Sequence, residues 1–235
     1  MRYIITITIF LLSVTAYADN LTIYTELLDR YVKNGLVDYD GLKRNESLLD
    51  DYLDSVKTTV PDDLPRNDQL ALYINAYNAC TMKLILKHYP VKSIKDIGGL
   101  FKSPWDIEFC RVGCAPMTLD EIEHEIIRPT FKDNRIHFAV NCASMGCPKL
   151  LDEPYRGETI DVQLDMVTKR FLRNGEKNYI EGSRLYASRI FDWYDEDFPN
   201  GTLAFFRRYY PDMQGLSMVD KVKNADYDWS LNKAD

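Results

Sequence analysis

The chain has 235 residues, 46% of them hydrophobic and 28% charged, with a formal net charge of −7. That acidic balance argues against general nucleic-acid binding and against an anionic membrane surface as partner. The length fits one globular domain with a sizeable core, and no repeat or low-complexity segment stands out.

Residues 1–18 read as an export signal. Arg2 precedes the apolar run Ile4 to Val14, and Ala16-Tyr17-Ala18 supplies the small-x-small cleavage pattern. An eleven-residue apolar core is short against the roughly 20 residues a membrane span needs, so no stable membrane insertion is expected after cleavage. Cleavage after Ala18 would leave 217 residues, 19–235, as a single globular domain, and would remove Arg2, taking the net charge from −7 to −8. A secreted or periplasmic location follows. In an oxidising compartment the five cysteines, Cys80, Cys110, Cys114, Cys142 and Cys147, favour disulfides, and the odd count leaves at least one unpaired within the chain.

Leu21 to Lys33 carries apolar residues at helical spacing and stops at Asn34-Gly35. Leu36 to Tyr39 is extended and Leu48 to Val56 helical, before Pro61 and Pro65 break the chain. The longest helix, about Gln69 to Tyr89, is apolar almost all round and therefore central. Asn75 and Asn78 interrupt it at i, i+3 spacing, with both amides on one face. Burying an unpaired amide costs roughly 1–3 kcal/mol. Both therefore need partners: either neighbouring loop backbone, or a catalytic side chain or substrate that they orient.

Ile94 to Trp105 reads as a short helix and a loop. Asp106 to Met117 has a hairpin pattern with Val112-Gly113 near its turn. A disulfide between Cys110 and Cys114 would close this small loop; two half-buried thiols are the alternative. Thr118-Leu119-Asp120-Glu121 is a capping box opening a helix to Ile127, ended by Arg128-Pro129. His124 falls off the apolar stripe of that helix and is expected in solvent.

Ile136 to Asn141 is expected to be a central strand leading into a loop with Cys142, Ser144 and Cys147, and Gly146 and Pro148 turn the chain there. An amphipathic helix follows over Ile160 to Arg173, then a hairpin of Tyr179-Ile180 with Leu185-Tyr186. The aromatic and acidic stretch Ile190 to Phe198 is too short to assign. Leu203 to Tyr209 is helical, and Tyr227 to Asn232 has the pattern of a closing strand. Helices and hairpins without alternating β-α units point to an α+β fold: one compact domain, mainly helices packed on a small, largely antiparallel sheet.

On these motifs the chain resembles the domain of unknown function family numbered 547. The resemblance rests on Tyr73 to Ala79, Leu119 to His124, His137 to Ser144, Cys147 to Leu150, Ile190 to Tyr194 and Tyr227 to Asn232. It implies one compact domain and marks the Asn-Ala-Tyr-Asn helix and the His-to-Cys-Pro segment as family motifs, without bringing an activity. Tyr73 stands where the family often has tryptophan, and Cys110 and Cys114 are additions to its pattern.

Two functions from different classes fit the residues. In a thiol-dependent hydrolase or acyl transferase, Cys142 or Cys147 attacks a carbonyl, His137 moves the proton, and Asn75 or Asn78 orients the imidazole or completes an oxyanion hole. Ser144 and Asp192 are then the candidate substrate-binding residues. Strand parity opposes the pairing of His137 with Cys142, since positions five apart point to opposite faces. In the second reading, Cys142 and Cys147 form a disulfide, His137 is a satisfied core residue, and the protein is a non-catalytic binding or interaction module. The C-x4-C spacing departs from the C-x-x-C of thiol oxidoreductases, and His124, His137 and the cysteines match no closed zinc motif. No cofactor and no metal are therefore expected, and the substrate or protein partner is left unassigned.

Overall fold

The computed structural model describes residues 21–99 and 102–234, so the expected export signal at 1–18 lies outside the described residues. Helix α1 (21–31) runs into the two-residue hairpin β1 (Val32–Lys33) and β2 (Leu36–Val37). Asn34 and Gly35 turn it, both with positive φ, which suits Gly and Asn best of all residues. Helices α2 (Tyr39–Arg44) and α3 (Glu46–Thr58) follow.

Helix α4 (Arg66–His88) is the axis of the fold: from Leu70 to Leu86 only Tyr73 and Lys83 escape full burial. It packs against α3 on one side and the Glu121–Ile127 segment on another. Asn75 and Asn78 are buried on this helix and both hold loop backbone. Asn75 donates to the Tyr155 carbonyl at 2.8 Å and accepts the Tyr155 N–H at 2.9 Å. Asn78 does the same between two loop residues, donating to the Ala139 carbonyl at 3.0 Å and accepting from the Asn141 N–H at 2.8 Å. Each amide thus stands in for a strand neighbour where the loop has none.

The hairpin of β3 (Cys110–Val112) and β4 (Ala115–Met117) forms as its pattern requires. The expected Cys110–Cys114 pairing does not occur. Cys110 faces inward on β3 and is bonded to Cys80 of α4, with Cα atoms 5.8 Å apart. Cys114 sits in the turn at φ 67, exposed and free. Strand alternation explains the outcome, because an inward Cys110 meets the helix beneath and not its own turn.

The capping box is made as read: the Glu121 carboxylate accepts the Thr118 N–H at 2.7 Å, and the Thr118 hydroxyl accepts the Glu121 N–H at 3.0 Å. The turns that follow, Glu121–Ile127, are π-helical, and the chain continues without a stop into α5 (Arg128–Phe131). Pro129 does not end the helix, because it lies in the first turn of α5 and tolerates the missing N–H there.

The expected strand at Ile136–Asn141 is instead a 3-10 turn, Asn134–Phe138, capped by Asp133, whose carboxylate accepts the Arg135 N–H at 3.0 Å. A short apolar run fits a buried strand and a buried helical turn equally well. Here Asp133 supplies a cap, and no strand among the described residues lies alongside to pair.

Helix α6 (Ile160–Leu172) leads into the three-stranded sheet. Strands β5 (Tyr179–Glu181) and β6 (Arg184–Ala187) are antiparallel, and β7 (Lys221–Asn224) joins β6 in parallel. Between them lie α7 (Ile190–Trp193), a 3-10 turn at Asp195–Asp197, and α8 (Gly201–Tyr209). The last strand falls at β7 and not at Tyr227–Asn232, which makes a single isolated bridge, between Ser144 and Leu231. The whole is α+β, with helices around small sheets that are largely antiparallel. None of the described helices is long and apolar enough to cross a membrane.

Candidate functional site

The π-helical turn shifts its side chains relative to an α-helix, and buries Glu123 beside Ile122 and Ile127. Such turns recur at functional sites. Glu123 faces His137 from the 3-10 turn, whose side chain is 1% exposed. His137 Nδ1 lies 3.7 Å from Glu123 Oε1, and Nε2 lies 2.7 Å from Asp197 Oδ2. Burial alone would depress the imidazole, but the two carboxylates outweigh it and raise the His137 pKa. A carboxylate at each nitrogen favours the charged, imidazolium form of the ring. Burial also opposes the charge on Glu123, yet the facing imidazolium keeps its pKa below the ordinary value. Asp197 is held well below the carboxylate range, first by His137 and then by Arg128, whose Nε donates to Oδ2 at 2.6 Å.

Arg128 and Tyr194 bind His124 into the same cluster. Arg128 Nη1 lies 2.6 Å from His124 Nδ1, and because a guanidinium only donates, Nδ1 is the acceptor. The Tyr194 ring lies 4.0 Å from the His137 ring and 5.8 Å from that of His124, centroid to centroid. His124 is therefore half-buried on the site and not in open solvent, because the π-helical turn moves it off the face that α-helical spacing assigns.

After the 3-10 turn comes the cysteine loop. Asn141 Oδ1 accepts the Ala143 N–H at 2.8 Å and Asn141 Nδ2 donates to the Pro148 carbonyl at 2.7 Å, so one amide fixes both ends of the loop. Ala143 has φ 57, a backbone conformation that costs a non-glycine residue of order 1 kcal/mol. Cys142 and Cys147 are joined as a disulfide, with Cα atoms 6.3 Å apart. The 227–232 segment straps the loop down: the Met145 N–H donates to the Ser230 carbonyl at 2.8 Å, and the Gly146 N–H to that of Asp228 at 2.7 Å. Gly146 is needed there, since a Cβ would fall 2.7 Å from the Tyr227 ring. The Tyr227 hydroxyl lies 3.3 Å from the sulfur of each cysteine and 3.1 Å from the Ser144 hydroxyl.

These parts line an open cavity of about 320 Å3. Its lining includes Glu123, His137, Cys142, Cys147 and the aromatic rings of Trp105, Trp193, Trp229, Tyr77, Tyr194 and Tyr227. The aromatic wall is continuous: Tyr227 lies 4.6 Å from Trp229 and 4.7 Å from Trp193, and Trp105 meets Trp229 edge-on at 5.9 Å. Because residues 134–138 turn and do not extend, the parity argument against His137 and Cys142 lapses, and both reach this one cavity with Cys147.

The other candidates do not line it. Asn75 and Asn78 hold loop backbone, Ser144 is buried beneath the disulfide, and Asp192 is exposed with Arg189 3.3 Å away. Glu123, Asp197 and Trp105 escaped sequence reasoning. Glu123 stood in a quoted motif, but nothing in its spacing showed that it turns inward. Among the described residues no three His, Cys, Asp or Glu side chains converge to hold a metal ion.

Residues 61–172 match the model of a family described as protein of unknown function, DUF547. The match contains Asn75, Glu123, His137 and both loop cysteines, while Tyr194, Asp197, Trp193, Tyr227 and Trp229 lie beyond it. Neither the curated proteins nor the solved structures give a match.

Proposed function

Taking the chain as a member of the DUF547 family through residues 61–172, whose description carries no activity, we propose that it is an exported, non-catalytic module that binds a small ligand. The binding site is the aromatic cavity walled by the Cys142–Cys147 disulfide. The observation that carries this reading is the state of the reactive groups. The two sulfurs are bonded to each other, and both nitrogens of His137 face carboxylates. A thiol hydrolase requires a thiolate and an imidazole with a free lone pair within about 2.6–3.2 Å of each other. Export is supported by the signal pattern at residues 1–18 and by two disulfides, which suit an oxidising compartment.

One observation favours thiol-dependent hydrolysis or acyl transfer as the second reading: His137, Cys142 and Cys147 line the same cavity. Hydrolysis of p-nitrophenyl acetate separates the two. The binding reading expects the unreduced protein and its Cys142→Ser/Cys147→Ser variant to hydrolyse the ester at the same slow rate. An initial burst and a turnover that the double variant lacks would establish the hydrolase instead.

A further inference from the structure

The chemistry of the cavity identifies the class of ligand it takes. Its lining holds two carboxylates, Glu123 and Asp120, and neither lysine nor arginine. The His137 imidazole stands between two carboxylates, with Nε2 2.7 Å from Asp197 Oδ2 and Nδ1 3.7 Å from Glu123 Oε1, the second too long for a hydrogen bond. Glu123 Oε1 is buried and has no hydrogen-bond partner. A buried carboxylate oxygen without a donor is costly, so such an atom on a cavity wall is a place for a ligand's donor or positive charge.

The remaining wall is aromatic. Rings of tryptophan and tyrosine present negative faces that attract a cation within about 6 Å, most strongly where water is excluded. The seam already does this for the protein's own cations: Lys95 Nζ lies 4.1 Å from the Trp229 centroid, and the Arg189 guanidinium 5.8 Å from that of Trp193. Those two side chains line a neighbouring groove and not the cavity, whose lining has no lysine or arginine of its own.

We infer that the cavity binds an organic ammonium group, with the cation against Trp105, Trp193 and Trp229 and its charge answered by Glu123. This rests on the binding reading above and names the ligand class for the same site. Size agrees: about 320 Å3 lies at the small end of ligand pockets.

The chain supplies its own reporter, since its three tryptophans all line the cavity. Tryptophan emission of the full, unreduced protein is followed while choline chloride is added at constant ionic strength. The same titration uses 3,3-dimethylbutanol, the uncharged analogue of the same shape. The expected result is a saturable change with choline, and binding of the neutral analogue weaker by on the order of tenfold or more. Glu123→Gln removes the charge from the buried site, and Trp193→Leu alters a ring that is 41% exposed and outside the core. Both should weaken choline binding while circular dichroism shows the fold retained; if Glu123→Gln fails to fold, Trp193→Leu carries the test. Equal binding of the two probes overturns the assignment to a cation and leaves the binding reading standing. Absence of a saturable response to choline also overturns it. Thiol-dependent turnover overturns the binding reading whatever the probes do.

Discussion

His137→Ala is expected to destabilise the fold by about 3–5 kcal/mol, the cost of removing one partner of a buried ion pair. The imidazolium stands between Glu123 and Asp197 and is itself buried. Without it Glu123 loses the partner that offsets its burial and must take up a proton to remain inside. The double variant Glu123→Gln/His137→Ala should therefore lose less than the sum of the two single variants, because neither buried charge is then left alone. Urea midpoints of the four proteins check this.

The same cluster fixes a pH dependence. The folded His137 pKa is raised above its unfolded value of 6.5. The folded state therefore binds more protons in the window above pH 6.5, and stability falls as pH rises. The contribution is fully present below about pH 6.5 and is lost as pH climbs through the raised folded value. Asp197 works in the opposite sense: its folded pKa is depressed, so its contribution is present above the unfolded value of 3.8 and is lost as pH falls. The urea midpoint should decline on the alkaline side in the wild type, and His137→Ala should flatten that decline.

Asn78→Ala should cost about 2–6 kcal/mol, since it leaves the Ala139 carbonyl and the Asn141 N–H without partners in the interior, at roughly 1–3 kcal/mol each. Asn78→Asp keeps the shape but sets a carboxylate against the Ala139 carbonyl, 3.0 Å from the present amide nitrogen. It should be destabilised as well, which separates loss of hydrogen bonding from loss of volume. A urea midpoint for Asn78→Ala within about 0.5 kcal/mol of wild type, the range of ordinary surface substitutions, would contradict the role assigned to this amide.

The requirement that Asn75 and Asn78 have partners was legible in the chain, because a polar amide on an otherwise apolar helix must be satisfied where it lies. Their partners, 61 to 80 residues away, were not. The same division holds for the helices, the Thr118-Glu121 capping box and the two expected hairpins, which depend on spacing within one segment and were readable. Cys80 with Cys110 joins elements 30 residues apart, and local spacing favoured the nearer Cys114. Ile136–Asn141 was ambiguous in itself, since periodicity over so few apolar residues does not separate a strand from a buried turn. His124 was placed by α-helical spacing, which the π-helical turn does not follow. Asp197 answers His137 from 60 residues away, and it lay in an aromatic and acidic stretch whose alternation and helical spacing were both too short to use. The cysteine loop, by contrast, was marked by its own composition, and the C-terminal strap that holds it was misread as a strand for the same extended pattern that lets it lie across Met145 and Gly146.

The state of the loop cysteines bears most directly on the account. Thiols of the protein, purified without reductant and unfolded in guanidinium, are titrated with Ellman's reagent, and in a parallel sample they are alkylated with iodoacetamide and located by mass spectrometry. With Cys80 joined to Cys110 and Cys142 to Cys147, one thiol per chain is expected, at Cys114. Reaction at Cys142 and Cys147 in the unreduced protein would contradict the disulfide wall and return the cavity to thiol chemistry.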